Sequence, residues 1–331
     1  MQDLRPLPLD VAVVGFDGCM TSAITGLCDI AQVANEWAVA RSGSLAGAFK
    51  PRIVSMGSNV VAGSAGFTIP ATPIDQSQRP DLVIVPPIVT PVPETIAQSG
   101  ELVAWLRSLR GTIVASVCGG AFFLAEAGLL AGRRATTNPA LAGLFRGSYP
   151  DVSLEPEERL IDTGDVLTAG STTAFLDLGV YLVDRFVGRE VAVLTAKALC
   201  IDANRRSQLP YCLYIAPKNH GDEAVLSVQQ WLEQGYKQKT GLDALAKRAR
   251  MSERSLSRRF VGATGLTPVE YLHRVRIEAA KHLLETSMQS VAEITDAVGY
   301  QDARSFSRLF RKLTDVGPCE YRDRFGLARG A

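Results

Sequence analysis

The segment Arg254-Ser255-Leu256-Ser257-Arg258-Arg259-Phe260 returns fifty residues later as Arg304-Ser305-Phe306-Ser307-Arg308-Leu309-Phe310. A repeat of this kind requires two copies of one structural unit, so it limits the fold before any other feature does. Wound as helices, Leu256 with Phe260 and Phe306 with Phe310 are i,i+4 apolar pairs that face a core. Arg254, Ser257 and Arg258, and likewise Arg304, Ser307 and Arg308, then share the opposite face, which suits an anionic partner. The repeat extends further. Thr264, Pro268, Glu270, Tyr271 and Arg274 recur as Thr314, Pro318, Glu320, Tyr321 and Arg324, and Leu245 and Ala249 recur as Ile294 and Val298. Ser252 and Asp302 stand at the N-cap positions of the two arginine helices, and Pro268 and Pro318 open the exits. Each copy is thus a helix, a turn, a capped second helix and a Pro-led exit, which is the helix-turn-helix pattern. The second helix of such a unit enters the major groove of DNA.

Charge agrees with this division. Through residue 223 the chain holds 17 Lys and Arg against 22 Asp and Glu, while the remainder holds 18 against 12. The basic excess lies with the repeats, so a nucleic-acid partner is expected for the second part alone. With 331 residues, two domains are expected. We place a sensing and dimerisation domain at residues 1–202, a linker at 203–222, where Pro, Gly and polar residues lack a period, and the DNA-binding domain at 223–331. Apolar runs such as Leu82 to Val89 are too short to span a membrane. The start of the chain has no signal-peptide layout, so a cytoplasmic protein, nucleoid-associated when bound to DNA, is expected. The six cysteines, Cys19, Cys28, Cys118, Cys200, Cys212 and Cys319, show no C-x-x-C spacing and predict reduced thiols rather than a disulfide framework or zinc site.

In the first part, Val11 to Phe16, Lys50 to Ser55, Leu82 to Pro86 and Thr112 to Val117 are short apolar runs. They alternate with helical stretches at Ser22 to Ala40, Glu94 to Leu109 and Gly120 to Leu130. Nearly continuous apolar strands alternating with helices predict an α/β doubly wound parallel sheet, covered on both faces. Ile113 to Cys118, followed by Gly119 and Gly120, predicts a strand turning sharply into a helix. A cysteine at such an elbow is expected to be exposed, with a depressed pKa and reactive. The amides after Cys118 predict an anion-binding nest, with Asp17, Asn138, Ser171, Thr172 and Thr173 supplying polar groups from neighbouring strand ends.

Two resemblances follow. Leu256 to Phe260, Thr264-Gly265-Leu266-Thr267-Pro268, Gly299-Tyr300 and Phe306 to Lys312, with the apolar pattern of Pro268 to Leu284 between them, make the second part similar to the AraC/XylS family of transcriptional regulators. That family joins two helix-turn-helix units by one helix. The resemblance implies that Ser252, Arg254, Ser255, Ser257 and Arg258 of the first unit, and Arg304, Ser307 and Arg308 of the second, approach bases or phosphates. It implies backbone contacts for Arg259, Arg311 and Lys312. Thr295, Asp315 and Gly317 depart from the family pattern and are expected to loosen the second unit slightly. Two units in one chain would read successive major-groove segments about 34 Å apart.

Cys118 to Leu130, Gly132 to Thr137, Thr168-Ala169-Gly170 and Asp177 make most of residues 8–202 similar to the intracellular-protease and class I glutamine-amidotransferase-like superfamily. The fusion resembles GlxA-type regulators. Where related sequences place a His after the two threonines, Asn138 stands, and the three histidines, His220, His273 and His282, all lie beyond residue 219. A Cys nucleophile needs a base, so no enzyme activity and no cofactor are expected. The chain is expected to be a metabolite-responsive regulator of promoter DNA, an activator and homodimer by resemblance. Its effector would be a small carboxylate, such as an amino acid or betaine-like amine. The rival functions are a cysteine hydrolase or amidase, and a thiol redox sensor, fused to a DNA-binding domain.

Overall fold

The computed structural model describes residues 6–42, 47–75, 77, 79–202, 207–214, 216–238 and 240–326. Residues 203–206, at the start of the expected linker, lie outside the described residues. The chain divides into two compact units, residues 1–208 and 209–331.

The first unit contains strands β1 (Leu9–Val14), β2 (Phe49–Ser55), β3 (Val60–Ala62), β4 (Thr68–Pro70), β5 (Thr72–Pro73), β6 (Leu82–Val85), β7 (Ile113–Val117), β8 (Arg134–Ala135), β9 (Ser153–Leu154), β10 (Leu160–Asp162) and β11 (Val166–Ala169). Its helices are α1 (Thr21–Ser42), α2 (Val92–Gln98), α3 (Gly100–Ser108), α4 (Ala121–Glu126), α5 (Ala142–Ser148), α6 (Ala174–Phe186) and α7 (Arg189–Ala198). Seven strands form one sheet in the order β10-β11-β7-β6-β1-β2-β5, and every pairing is parallel except β10 with β11. All residues of β6, β7 and β11 are buried, as strands covered on both faces must be. The strand reversal lies between β1 and β6, so ligands of such a sheet are expected at the carboxyl ends of the neighbouring strands.

The expected helix over Glu94 to Leu109 is two helices. Ser99 leaves helical geometry at φ −110°, and Gly100 starts α3. The helix expected to reach Leu130 ends at Glu126, because Gly128 takes the left-handed conformation at φ 77°.

The second unit contains α8 (Glu223–Gln234), α9 (Leu242–Arg248), α10 (Glu253–Thr264), α11 (Pro268–Thr286), α12 (Val291–Ala297), α13 (Ala303–Thr314) and α14 (Pro318–Phe325). One cluster gathers Val228, Leu232, Leu245, Leu256, Phe260, Tyr271 and Leu272, and a second gathers Ile277, Ala280, Leu284, Ile294, Phe306, Phe310 and Tyr321. Helix α11 contributes to both, so its two halves hold the two helix-turn-helix copies to one rigid rod. The duplication extends to tertiary contacts. Phe260 packs edge-on against Tyr271 at 5.3 Å and Phe310 against Tyr321 at 5.5 Å, and the tyrosine hydroxyls donate to Glu233 and Glu285.

The expected linker also carries order. Asp222 caps α8 by accepting from the Val225 amide, and His220 bonds the Gln229 side chain.

Candidate nucleic-acid interface and elbow site

Ser252 accepts from the Ser255 amide at 3.3 Å and starts α10, and Asp302 accepts from the amides of Arg304 and Ser305 at 3.2 and 2.9 Å and starts α13. A turn precedes each helix with one residue left-handed, Arg250 in the first copy and Gly299 in the second. Leu256, Phe260, Phe306 and Phe310 are fully buried, which leaves Arg254, Arg258, Arg304, Arg308, Arg311 and Lys312 exposed and Ser257 and Ser307 half-buried. Among the described residues, no ion pair holds Arg254, Arg258, Arg304 or Arg308. Their guanidinium groups are therefore available to donate two bonds to a guanine edge or a phosphate.

Arg259 departs from the expectation of a DNA-backbone contact. Its Nε and Nη2 each donate to the Asp222 carboxylate at 2.8 Å, so it ties α10 to the start of α8. That pairing holds Asp222 below the usual carboxylate range, helped by the Val225 amide. The three departures from the family pattern have separate physical accounts. Thr295 is buried and returns its hydroxyl to the Val291 carbonyl at 2.7 Å. Asp315 takes φ 64° at the end of α13, where Gly265 takes φ 73° at the end of α10, and bears the strain of a side chain in a left-handed site. Gly317 leads α14 without a side-chain cap, while Thr267 and Glu270 complete a capping box on α11.

In the first unit, β7 ends at Val117, Cys118 takes φ 55°, and a single turn through Gly120 feeds α4. Gly120 is required by space, since a Cβ there would stand 2.6 Å from the Val85 carbonyl oxygen and 2.8 Å from that of Pro86. The elbow brings the Cys118 Sγ within 3.6 Å of Asn138 Nδ2 and 3.8 Å of Thr172 Oγ1. The Gly119 amide also donates toward the sulfur. Thr137 donates its hydroxyl to the Cys118 carbonyl at 2.7 Å and fixes the turn from below.

The expected depressed pKa is corrected by the structure. Cys118 is only 4% exposed, and burial pushes the thiol up; the donors from Asn138, Gly119 and Thr172 oppose that shift without reversing it. The thiol is therefore protonated at neutral pH, and the exposed, reactive cysteine expected from the turn is instead buried.

Asp17 is also placed differently. It is exposed, its carboxylate accepts from the Ala62 amide at 2.8 Å, and its charge acts on Cys19. Thr173 is exposed at the start of α6 and its hydroxyl makes no cap bond; Ser171 is half-buried and its carbonyl accepts from Ala174. Cys118, Gly119, Gly120, Asn138 and Thr172 thus come together, and Asp17 and Thr173 do not join them. Sequence reasoning missed Thr137, whose neighbour Thr136 is equally buried; its place immediately before Asn138 was the available signal. A separate cleft of about 460 Å³ between α2, α4 and α5, lined by Ile96, Phe122, Glu126, Leu144 and Tyr149, includes none of these residues.

Residues 245–324 match the helix-turn-helix domain family, and residues 29–185 match the DJ-1/PfpI family. The chain is 30% identical over 229 residues to the HTH-type transcriptional regulator CdhR of Pseudomonas aeruginosa, an alignment covering 68% of each protein. The chain belongs to the transcriptional regulators that join a DJ-1/PfpI domain to an AraC-type helix-turn-helix domain. It is accordingly a DNA-binding regulator. It is also 39% identical over 92 residues to the HTH-type transcriptional activator RhaS of Escherichia coli, but spans only 33% of that protein's length. A putative transcriptional regulator from Vibrio parahaemolyticus shares the fold, with a TM-score of 0.51 at 22% identity over 58% of this chain and 98% of that one. Among the described residues, no helix is long and apolar enough to cross a membrane.

Proposed function

We propose that this regulator binds a small carboxylate-bearing metabolite at the Cys118 elbow without turning it over, and transmits its presence to α10 and α13, which read promoter DNA. The observation that carries the proposal is the elbow's chemistry. Two hydrogen-bond donors, from Gly119 and Asn138, and the Thr172 hydroxyl, which can donate or accept, converge on a thiol that burial keeps protonated, and residues 1–219 contain no histidine to deprotonate it. Donors aimed at one point serve a carboxylate oxygen as well as they serve a thiolate. Without a base, the sulfur is a poor nucleophile, which separates this site from a hydrolase. A buried, protonated thiol is equally unsuited to peroxide sensing.

An amino acid or betaine-like amine is the carboxylate that the family resemblance suggests. RhaS is named an activator, and we assign activation to this chain on that similarity. Base contacts go to Arg254, Arg258, Arg304 and Arg308, and phosphate contacts to Ser252, Ser255, Arg311 and Lys312. The homodimer is assigned on the family resemblance alone.

Thermal denaturation of the full-length chain against a panel of carboxylates tests the proposal. A ligand present at about 100 times its Kd adds about 2.7 kcal/mol to the unit that binds it. We expect Asn138→Leu with Thr172→Val to abolish that stabilisation and the ligand to be recovered unchanged. Catalytic turnover that disappears in Cys118→Ala would overturn the non-enzymatic assignment, and stabilisation that survives the double change would move the effector away from the elbow.

A further inference from the structure

Gln208 is the last residue of the first unit, and the chain enters the DNA-binding unit at Leu209. Its side chain is fully buried, at 1% exposure, among fixed polar groups. Glutamine is mostly found exposed, and a buried one is held by hydrogen bonds. The Gln208 Nε2 lies 2.5 Å from the Pro156 carbonyl oxygen and 3.2 Å from those of Glu158 and Thr137. Thr137 is the residue whose hydroxyl holds the Cys118 carbonyl, and Asn138 beside it donates to the thiol.

A second route reaches the same sulfur from the other side of the amide. Gly170 leaves the space that Gln208 occupies, since a Cβ at Gly170 would stand 2.2 Å from Gln208 Oε1. Two residues further along, Thr172 places its hydroxyl 3.8 Å from the Cys118 Sγ. Both side chains that contact the sulfur are therefore one or two residues from a backbone group against which the Gln208 amide is packed. A ligand that engages Asn138 or Thr172 displaces Thr137 or Gly170 only by displacing Gln208 as well, because close-packed interiors transmit small shifts.

We propose that Gln208 is a positioning residue that couples the state of the Cys118 site to the point where the chain passes into the DNA-binding unit. The inference rests on the assignment of that site as the sensing site. Coupling between two sites is reciprocal, so DNA binding must in turn alter the elbow. That reciprocity allows a test without knowledge of the metabolite.

The full-length chain is first used to select a duplex from a random-sequence library. Alkylation of Cys118 by iodoacetamide is then followed by peptide mass spectrometry with and without that duplex. The expected result is a change of about fivefold or more in the Cys118 rate on DNA binding in the native sequence. The ratio falls to about one in Gln208→Leu, which keeps the bulk and removes the amide, although the variant still binds the duplex. Gly170→Ala, which drives a methyl group into the amide and leaves both elbow side chains in place, gives the same loss. A purely structural role would alter the rate itself and leave its dependence on DNA intact.

The proposal is overturned if DNA leaves the native Cys118 rate unchanged, or if either variant folds, binds the duplex and keeps the native ratio. Should one variant fail to fold, the other decides alone. Failure of the effector-site assignment is distinguishable: metabolite stabilisation would survive Asn138→Leu with Thr172→Val while the DNA-dependent labelling of Cys118 persisted.

Discussion

Replacing Asp222 separates two interactions that meet on one carboxylate. It caps α8 through the Val225 amide at 3.1 Å and receives both guanidinium donors of Arg259 at 2.8 Å. A cap of this kind contributes about 1 kcal/mol. The ion pair is half open to water, with Arg259 at 47% exposure and Asp222 at 18%, so screening limits it to about 0.5 to 1 kcal/mol. Asp222→Ala loses both, about 1.5 to 2 kcal/mol, whereas Asp222→Asn keeps a capping oxygen and loses only the pair. At about 3 to 5 °C per kcal/mol for a unit of this size, the Ala change lowers the second unit's Tm by about 5 to 10 °C and the Asn change by about 2 to 5 °C.

The pH dependence follows from the depressed carboxyl of Asp222. Its contribution is fully present above the unfolded value of about 3.9 and is lost as pH falls through the lower folded value, so the native chain and Asp222→Asn converge in stability below about pH 4. The released Arg259 then becomes available to phosphate. Fluorescence anisotropy over a salt series should give Asp222→Asn a log Kd against log salt slope steeper by about 0.9. The reasoning is refuted if Asn destabilises as much as Ala, which would remove the cap from the account, or if the salt slope is unchanged, which would mean that Asp222 does not keep Arg259 from DNA.

Three further outcomes are expected. Asp315→Gly relieves a left-handed side chain at φ 64° and, after the glycine's extra unfolded-state entropy, stabilises by about 0.5 kcal/mol, read as a higher urea midpoint at unchanged slope. Gly120→Ala forces a methyl group into the Val85 and Pro86 carbonyls and destabilises the first unit by about 2 to 3 kcal/mol, while the second unit's melting stays as it was. Cys118, its thiol raised by burial, should alkylate more slowly at pH 7 than the exposed Cys200 and Cys319 of the same chain and keep accelerating beyond pH 9. A plateau below pH 7 would contradict the assignment of a protonated thiol.

The twin helices were legible because their determinants are local. Ser252 and Asp302 act within three residues, and the Leu256/Phe260 and Phe306/Phe310 pairs follow from helical period alone. The elbow at Cys118 was legible for the same reason, as glycines directly after a buried strand permit only a sharp turn. What a local pattern does not contain is the solvent around it. The thiol's protonation follows from burial, which the hydrogen bonds with Asn138 and Thr172 oppose; burial is set by the packed domain rather than by the turn, so the turn alone suggested the wrong direction of shift. Arg259 had the composition of a phosphate contact, but its partner Asp222 lies 37 residues away. Asp17 is likewise drawn off by the Ala62 amide. Gln208 carried no signal at all, since a glutamine in a polar, Pro-containing segment reads as linker until the sheet behind it is known.

The claim that α10 and α13 present the base-reading face is tested most directly by anisotropy titration of the selected duplex and a scrambled duplex with Arg258→Ala and Arg308→Ala. Each change should cost about 1 to 3 kcal/mol on the selected duplex and far less on the scrambled one, and should relax preference at one base position. Lys312→Ala, as a phosphate contact, should weaken both alike and lower the salt slope by about one. Equal losses on the two duplexes for both arginine changes would contradict base reading by these helices.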